Sequence, residues 1–471
     1  MSVTRRSVLT AAGAGAVVLG GAGFGAYDVA TREAPEPPAP PILDKQDHIL
    51  WRNWSGIQHS YPQLRLSPTS EDQLAGMLKS APAPIRAVGA GHSFMPLVPT
   101  DGTLLTLDQI SGLVSVDGNG LATLKAGTRL DALGPALQAH GRAMNNLPDI
   151  NVQSFAGALS TATHGTGKRL RALHGNVTAL RLVTAKGDIL DCSATSNPDL
   201  FNSARVSLGS MGIITQVTTK TVPAKHVHRR VWLESFEDAL AKAEDNWNKH
   251  RNFEFYAIPF TGLCANIAND ETDRPAEPRG AETDSSFLDV LKYLRNLFGF
   301  STPLRKWVAE NLLSAYGSKP EEAVDDGWKL LSTPRPVRFN EMEFHLPAAN
   351  QFAALREVVA TIEAKRPDIF FPIELRRIAT DDAWLSPFQG GEHGSLAVHA
   401  YYKDDYEFLF TLIQPILLRH GGRPHWGKLN SLTSADFARL YPRWKDFHDL
   451  RMSLDPEERM LNPYLKKILA S

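Results

Sequence analysis

The sequence predicts an α+β protein, on three observations. Between Asn53 and about Val222, short β-type runs alternate with Gly-rich turns and only one or two helical stretches. Further on, Ile373-Glu374-Leu375-Arg376 and Leu396-Ala397-Val398-His399-Ala400-Tyr401 alternate apolar and polar residues at the two-residue period of a strand. Helical patterns are few and scattered: one opened by Ser70-Glu71-Asp72-Gln73, one near 287–297, and one from Tyr406 to His420, stopped by Gly421.

The chain has 471 residues, room for roughly three domains at about 150 residues each. Its 50 Lys plus Arg against 51 Asp plus Glu leave a formal net charge of −1. No broad positive field exists for bulk nucleic-acid binding. A hydrophobic fraction of 43% and a charged fraction of 21% exclude disordered, collagenous and coiled-coil chains. Cys192 and Cys264 are the only cysteines, which excludes a disulfide scaffold and a cysteine-rich metal site. They fall in different halves of the chain and are expected to stay unpaired. His226 and His228 are read as an exposed strand pair, so no metal is expected.

The N-terminus carries Arg5-Arg6, then an uncharged Ala/Gly-rich run from Val8 to Ala26. It resembles a twin-arginine export signal, cleaved or kept as an anchor, and occupies 1–34. The expected location is therefore the periplasm or the outer face of the cytoplasmic membrane. Pro35-Glu36-Pro37-Pro38-Ala39-Pro40-Pro41 marks 35–45 as a stiff, extended linker.

In the α+β body, Ser70 is a plausible N-cap, with Leu74 and Met77 on the inner face of its helix. Ile85-Arg86-Ala87-Val88 reads as a buried strand that breaks into Gly89-Ala90-Gly91-His92-Ser93-Phe94. Glycines there let backbone amides approach an anionic group. The spacing is not the GxGxxG of a dinucleotide fold. Two further Gly/Ser/Thr-rich stretches follow: Leu147-Pro148-Asp149 through Ser154, Gly157, Thr161, Ala162, Thr163 and His164, and Ser207-Leu208-Gly209-Ser210-Met211-Gly212-Ile213-Ile214.

In this order the motifs resemble the FAD-binding (PCMH-type) domain of the vanillyl-alcohol-oxidase superfamily. Within it the chain is similar to the sugar-lactone and alditol oxidases over about residues 46–471. The resemblance implies a two-subdomain FAD-binding domain at 46–222 and an α+β substrate domain with an antiparallel sheet at 223–425. A C-terminal segment, 426–471, returns to the flavin. It places Ala87, Val88, Gly89, Ala90, Gly91, His92, Ser93, Asp149, Ser154, Gly157, Thr161, Ala162, Thr163, His164 and Ile214 around FAD, with His92 covalently bonded to the flavin 8α carbon. His425-Trp426-Gly427-Lys428 matches the family motif whose lysine sits beside the flavin N1–C2=O edge. Trp384-Leu385-Ser386-Pro387 after the ELR strand strengthens the match.

The implied substrate pocket contains Asp149, Glu374, Arg376, Tyr401 and Lys428. Arg376 and Glu374 would orient the sugar hydroxyls. His399 or Glu374 would take the hydroxyl proton, and Lys428 would stabilise charge gained by the flavin. The branch is ambiguous: alditol members have Ser and Thr where this chain has Asp149 and Tyr401, yet Gly427 stands where lactone members have Ala. The expected activity is hydride transfer from a CH–OH group of an aldono-1,4-lactone or an alditol to FAD. Oxygen is the expected acceptor, with Pro148 at the position that gates it. The alternatives are an exported dehydrogenase feeding a membrane quinone or dye-type acceptor, and a flavin-free carbohydrate-binding envelope protein.

Overall fold

The computed structural model describes residues 23–278, 284–316, 320–333, 335 and 337–469; the twin-arginine stretch, Arg5 and Arg6 included, lies outside them. The first described element is helix α1, Gly23–Ala30.

Two larger sheets build the first half, preceded by a two-stranded ribbon of Trp51–Arg52 and His59–Ser60. Strands β1 (Leu64–Leu66), β2 (Ile85–Val88) and β3 (Thr103–Thr106) form a parallel sheet in the order β1-β3-β2. Helix α2 (Glu71–Ser80) crosses between β1 and β2. Ser70 caps it by accepting the Gln73 amide at 3.2 Å. Leu74 and Leu78 are its buried residues. The inner row therefore runs i, i+4, and Met77 lies at its margin, a correction to the sequence expectation.

The second sheet is antiparallel, formed by β4 (Leu113–Val116), β5 (Leu121–Lys125), β6 (Arg142–Met144), β7 (Val177–Val183), β8 (Ile189–Ser193) and β9 (Ile213–Pro223). Its order is β8-β7-β9-β5-β4, with β6 on the far end of β9.

After β9 the chain enters an eight-stranded antiparallel sheet of β10 (His226–Ser235), β11 (Asn252–Ile258), β12 (Leu263–Thr272), β13 (Glu321–Asp326), β14 (Phe339–Pro347), β15 (Ile373–Ile378), β16 (His393–Tyr401) and β17 (Arg423–Pro424). The order is β13-β10-β12-β11-β15-β16-β14-β17. Mixed helix and sheet with a large antiparallel sheet in the second half is the class expected from the sequence. Strand β12 reaches Thr272 and pairs with β10 there, so the charged stretch read as a loop from Asn269 begins as strand.

Period-two alternation gives this sheet two different faces. On one face Phe253, Phe255, Met342, Phe344, Leu375, Leu396 and Val398 are buried. Two helices cover that face, Phe236–Lys249 and Gln351–Lys365. Trp247 packs 5.9 Å from both Phe253 and Phe352. The other face carries Glu254, Tyr256, Glu341, Glu343, Glu374, Arg376, Ser395 and His399.

The helix read from Tyr406 to His420 contains a π-turn at Leu409–Ile413 before its α-turn at Gln414–Arg419. Pro415 lacks the amide that an unbroken α-ladder would need, which accounts for the wider turn before it. The Pro-rich segment lies against the second half of the chain: Glu36 meets Lys403 at 3.0 Å and Arg338 at 3.3 Å.

Candidate active site

Strand β2 delivers the loop 89–93 to a groove of about 1050 Å³, counted with its open mouth. A Cβ on Gly89 would lie 2.2 Å from Ser154 Oγ, so only glycine permits that approach. Gly91 has φ +68°, in the left-handed region. Ser154 in turn caps helix α3, Phe155–Ser160, by accepting the Gly157 amide. The turn at Gly209–Ile214 closes the opposite wall.

Arg86 holds these walls together. Its buried guanidinium donates to the carbonyls of Leu97, Leu208, Gly209 and Met460 at 2.6–3.1 Å. Burial lowers its pKa to about 10, which still leaves it charged at neutral pH.

The groove fits FAD. Its wall at 87–91 is short side chains and glycine, and Gln153 presents a buried Oε1 without a hydrogen-bond partner. His92 stands at one end, its ring stacked on Trp54 at 4.8 Å. Burial first, then Lys428 and Arg129, push the His92 pKa down to about 4. The imidazole is therefore neutral and keeps a lone pair for bonding.

The His425–Lys428 turn lies directly on this loop. Gly427 O accepts the Phe94 amide at 2.7 Å, and Trp426 Nε1 donates to Leu385 O at 2.7 Å. Thus Trp384–Pro387 holds the tryptophan while Lys428 projects beside Phe94, 5.2 Å from its ring, and pairs with Glu341.

Strand pairing assembles the second part of the site. Register sets Glu254 opposite Arg376, Tyr256 opposite Glu374, Arg376 opposite Ser395 and Glu341 opposite His399. Arg376 is buried among three carboxylates: Asp149 at 3.0 Å, Glu343 at 2.5 Å and Glu374 at 3.4 Å. Tyr256 donates to Glu374 at 2.8 Å. His164 Nε2 lies 3.1 Å from Glu343, which also accepts from Ser395.

The carboxyls split by environment. Desolvation pushes every one of them up, but Arg376 reverses this for Asp149 and Glu343, which lie below the usual range. Glu374 is raised well above its ordinary value by burial and by Asp149 and Glu254. Glu254 is raised to about 8, chiefly by burial and then by Asp149. His399 is lowered by burial. Its Nδ1 lies 3.2 Å from the Pro372 carbonyl, which can only accept, so Nδ1 carries the proton. Nε2 is left free of it, 3.8 Å from Glu341.

The structure thus brings the sequence-derived residues into two linked groups. Residues 87–93, Ser154, Gly157, Thr161 and Ile214 line the groove. Asp149, Glu374, Arg376 and His399 form the polar face, and Lys428 acts on both His92 and His399. Ala162, Thr163 and His164 do not line the groove. Thr163 bonds Thr161 and Gln153 behind it, and His164 belongs to the Arg376 network. Tyr401 is brought to neither group: its hydroxyl donates to Glu33 at 2.9 Å, and its ring lies 5.7 Å from Phe370.

Glu254, Tyr256, Glu341 and Glu343 are additional members that the motifs did not single out. Three sets of metal-type ligand atoms also lie together, His164/Glu343/His345, Glu341/Glu374/His399 and Asp149/Glu254/Glu374. In each, a carboxylate is already paired with Arg376 or Lys428. On β10, His226 contacts the Arg274 carbonyl and His228 contacts Glu322 of the neighbouring β13. Cys192 and Cys264 are both free and buried.

Two family profiles match. D-arabinono-1,4-lactone oxidase covers residues 217–468 and FAD binding domain covers 62–193. The chain is 34% identical over 431 residues to L-gulono-1,4-lactone dehydrogenase of Mycobacterium tuberculosis, covering 89% of this chain and 99% of that protein. It is 28% identical to L-gulonolactone oxidase of Bos taurus, with 89% and 98% covered. Among solved structures, cholesterol oxidase from B. sterolicum superimposes with a TM-score of 0.72 over 93% of this chain and 100% of that one; the identity is 16%, so the likeness is one of fold.

Proposed function

Because the chain belongs to the D-arabinono-1,4-lactone oxidase family, we propose that it oxidises a CH–OH carbon of an aldono-1,4-lactone with FAD held in the groove at 87–93. The observation that carries this is the buried Arg376 with its three carboxylates, one of which, Glu374, lies within 4.8 Å of Glu341, the partner of the Lys428 that acts on His92 at the end of the groove. A polar, hydroxyl-binding floor beside a cofactor groove suits a sugar lactone better than an apolar substrate. The lactone relatives favour the lactone over the alditol reading.

Bound FAD supplies the hydride acceptor. The chain's residues do the rest. Arg376 fixes the carboxylates, and these in turn can accept hydrogen bonds from the substrate hydroxyls. Glu374, with its raised pKa, is kept protonated and serves as a donor. His399 presents a neutral Nε2 and takes the proton of the reacting hydroxyl, which favours it over Glu374 as the base. Lys428 places a positive charge where negative charge develops.

The neutral imidazole of His92 supports a covalent bond to the flavin. Pro148 is buried and its carbonyl accepts from Ser332, so its ring is held in place; oxygen as acceptor rests on that residue. A second reading, an acceptor other than oxygen, is favoured by the name of the mycobacterial relative. Export by the twin-arginine route remains part of the proposal on the strength of Arg5-Arg6.

The test is peroxide release against dye reduction on L-gulono-1,4-lactone, D-arabinono-1,4-lactone and xylitol. Turnover of lactones with peroxide supports the oxidase. Dye reduction without peroxide selects the dehydrogenase, and turnover of xylitol alone overturns the lactone assignment.

A further inference from the structure

Helices α4 (Asp284–Phe298) and α5 (Thr302–Tyr316) form a hairpin on the second half of the chain. Its inner side is core: Val290, Leu291, Tyr293, Leu294 and Ala309 are buried with Phe370, Phe371 and Tyr401. Its outer side is apolar too. Phe300 is 81% exposed, Trp307 63% and Leu304 37%, and Pro303 is exposed with them. Pro303, Leu304 and Trp307 form one exposed stripe on the first turns of α5, and Phe300 stands next to it in the turn that joins the two helices.

This stripe is held rigidly. Arg305, in the same turn, points inward and donates to the carbonyls of Pro367 and Ile369 at 2.7 and 2.9 Å, with its guanidinium 4.2 Å over the Phe260 ring. A fixed, solvent-facing Phe and Trp at the tip of a hairpin is uncommon on a surface that stays in water.

The second observation is where the N-terminal chain arrives. The uncharged run from Val8 to Ala26 ends inside α1. Helix α1 docks on α4 beside the tip: Asn296 Nδ2 donates to the carbonyls of Ala30 and Arg32 at 2.8 and 3.0 Å. Tyr27 and Val29 are exposed on α1 as well. Among the described residues no helix is long and apolar enough to cross a membrane. Helix α1, in which that uncharged run ends, and the apolar stripe nevertheless share one end of helix α4.

We propose that the tip of the α4–α5 hairpin seats on a lipid bilayer, with Phe300, Leu304 and Trp307 in the interface beside helix α1. Trp and Phe favour that interface because an apolar body and, for Trp, one N–H donor match its two sides. The contact is peripheral, made by side chains and not by a spanning helix.

The test uses the purified full chain and the fluorescence of Trp307, since the other eight tryptophans are buried or half-buried. Vesicles of phosphatidylglycerol and phosphatidylethanolamine are prepared with and without brominated acyl chains. Brominated vesicles should quench the wild type, and Trp307→Phe should lose most of that quench while melting at the same temperature. An equal quench in Trp307→Phe overturns the proposal, because any membrane contact is then made by the N-terminus alone. Sedimentation velocity addresses the competing occupant. A concentration-dependent dimer that Phe300→Ser with Trp307→Ser abolishes would assign the stripe to a second copy and also overturn it.

Discussion

Arg376→Lys removes the planar fork and keeps the charge. In the wild type the guanidinium reaches the half-buried Asp149 at 3.0 Å and the buried Glu343 and Glu374 at 2.5 and 3.4 Å. A lysine ammonium is a compact charge on a shorter reach and can keep one of the two close contacts. One hydrogen bond to a charged group, about 1.5–3 kcal/mol, is lost. At about 1.4 kcal/mol per tenfold, that corresponds to roughly 10- to 150-fold in the efficiency of flavin reduction by lactone. The assay is anaerobic stopped-flow mixing of enzyme with lactone, following the flavin band at several lactone concentrations. A melting curve measured in parallel separates a lost site from a lost fold. Flavin reduction within about threefold of wild type, with an unchanged melting temperature, would refute the claim that Arg376 organises the carboxylates of Asp149 and Glu343 for substrate binding.

Three further outcomes follow from the site. His92→Ala should release FAD on acid precipitation, where the wild type should keep it in the pellet; covalent flavin retained in the variant places the bond elsewhere. Lys428→Met keeps length and removes charge, and should slow flavin reduction by roughly 10²-fold, as loss of an oxyanion-type donor does; an unchanged rate shows that Lys428 serves only Glu341. Glu254 is held neutral up to about pH 8 against an ordinary value of 4.5. A carboxyl whose folded pKa is raised contributes stability below the unfolded value, and that stability is lost as pH rises through the folded one. Melting temperature should therefore fall between pH 5 and about pH 8 in the wild type and fall less in Glu254→Gln; parallel curves would remove Glu254 from the account.

How far the site was legible depended on what kind of signal each residue leaves. The loop at Gly89–Ser93 was readable because its geometry demands glycine, and Gly91's positive φ and the Gly89–Ser154 approach are that demand made visible. Glu374, Arg376 and His399 were readable from strand alternation. The same period runs through Asn340–His345, where Glu341, Glu343 and His345 alternate with Met342 and Phe344, and through Asn252–Tyr256. Glu254, Tyr256, Glu341 and Glu343 carried the signal that the ELR strand carried, without a motif to draw attention to them.

Alternation alone cannot supply register. Pairing Glu254 with Arg376, or Asp149 with an arginine 227 positions away, is a property of sheet order. Tyr401 shows the opposite error. It shares a face with His399, but it ends the strand, and six residues beyond Ser395 at about 3.3 Å each carry it roughly 20 Å from Arg376's partner, to Glu33. Arg86 falls in a stretch that reads as a buried strand, but its bonding is invisible until four carbonyls from distant segments are seen to converge on it.

The most direct measurement is anaerobic mixing of the purified protein with L-gulono-1,4-lactone or D-arabinono-1,4-lactone while the flavin absorbance is recorded. The account predicts a yellow protein whose flavin band is bleached by lactone and restored by an added acceptor. A colourless protein, or a flavin band that neither lactone bleaches, would contradict it.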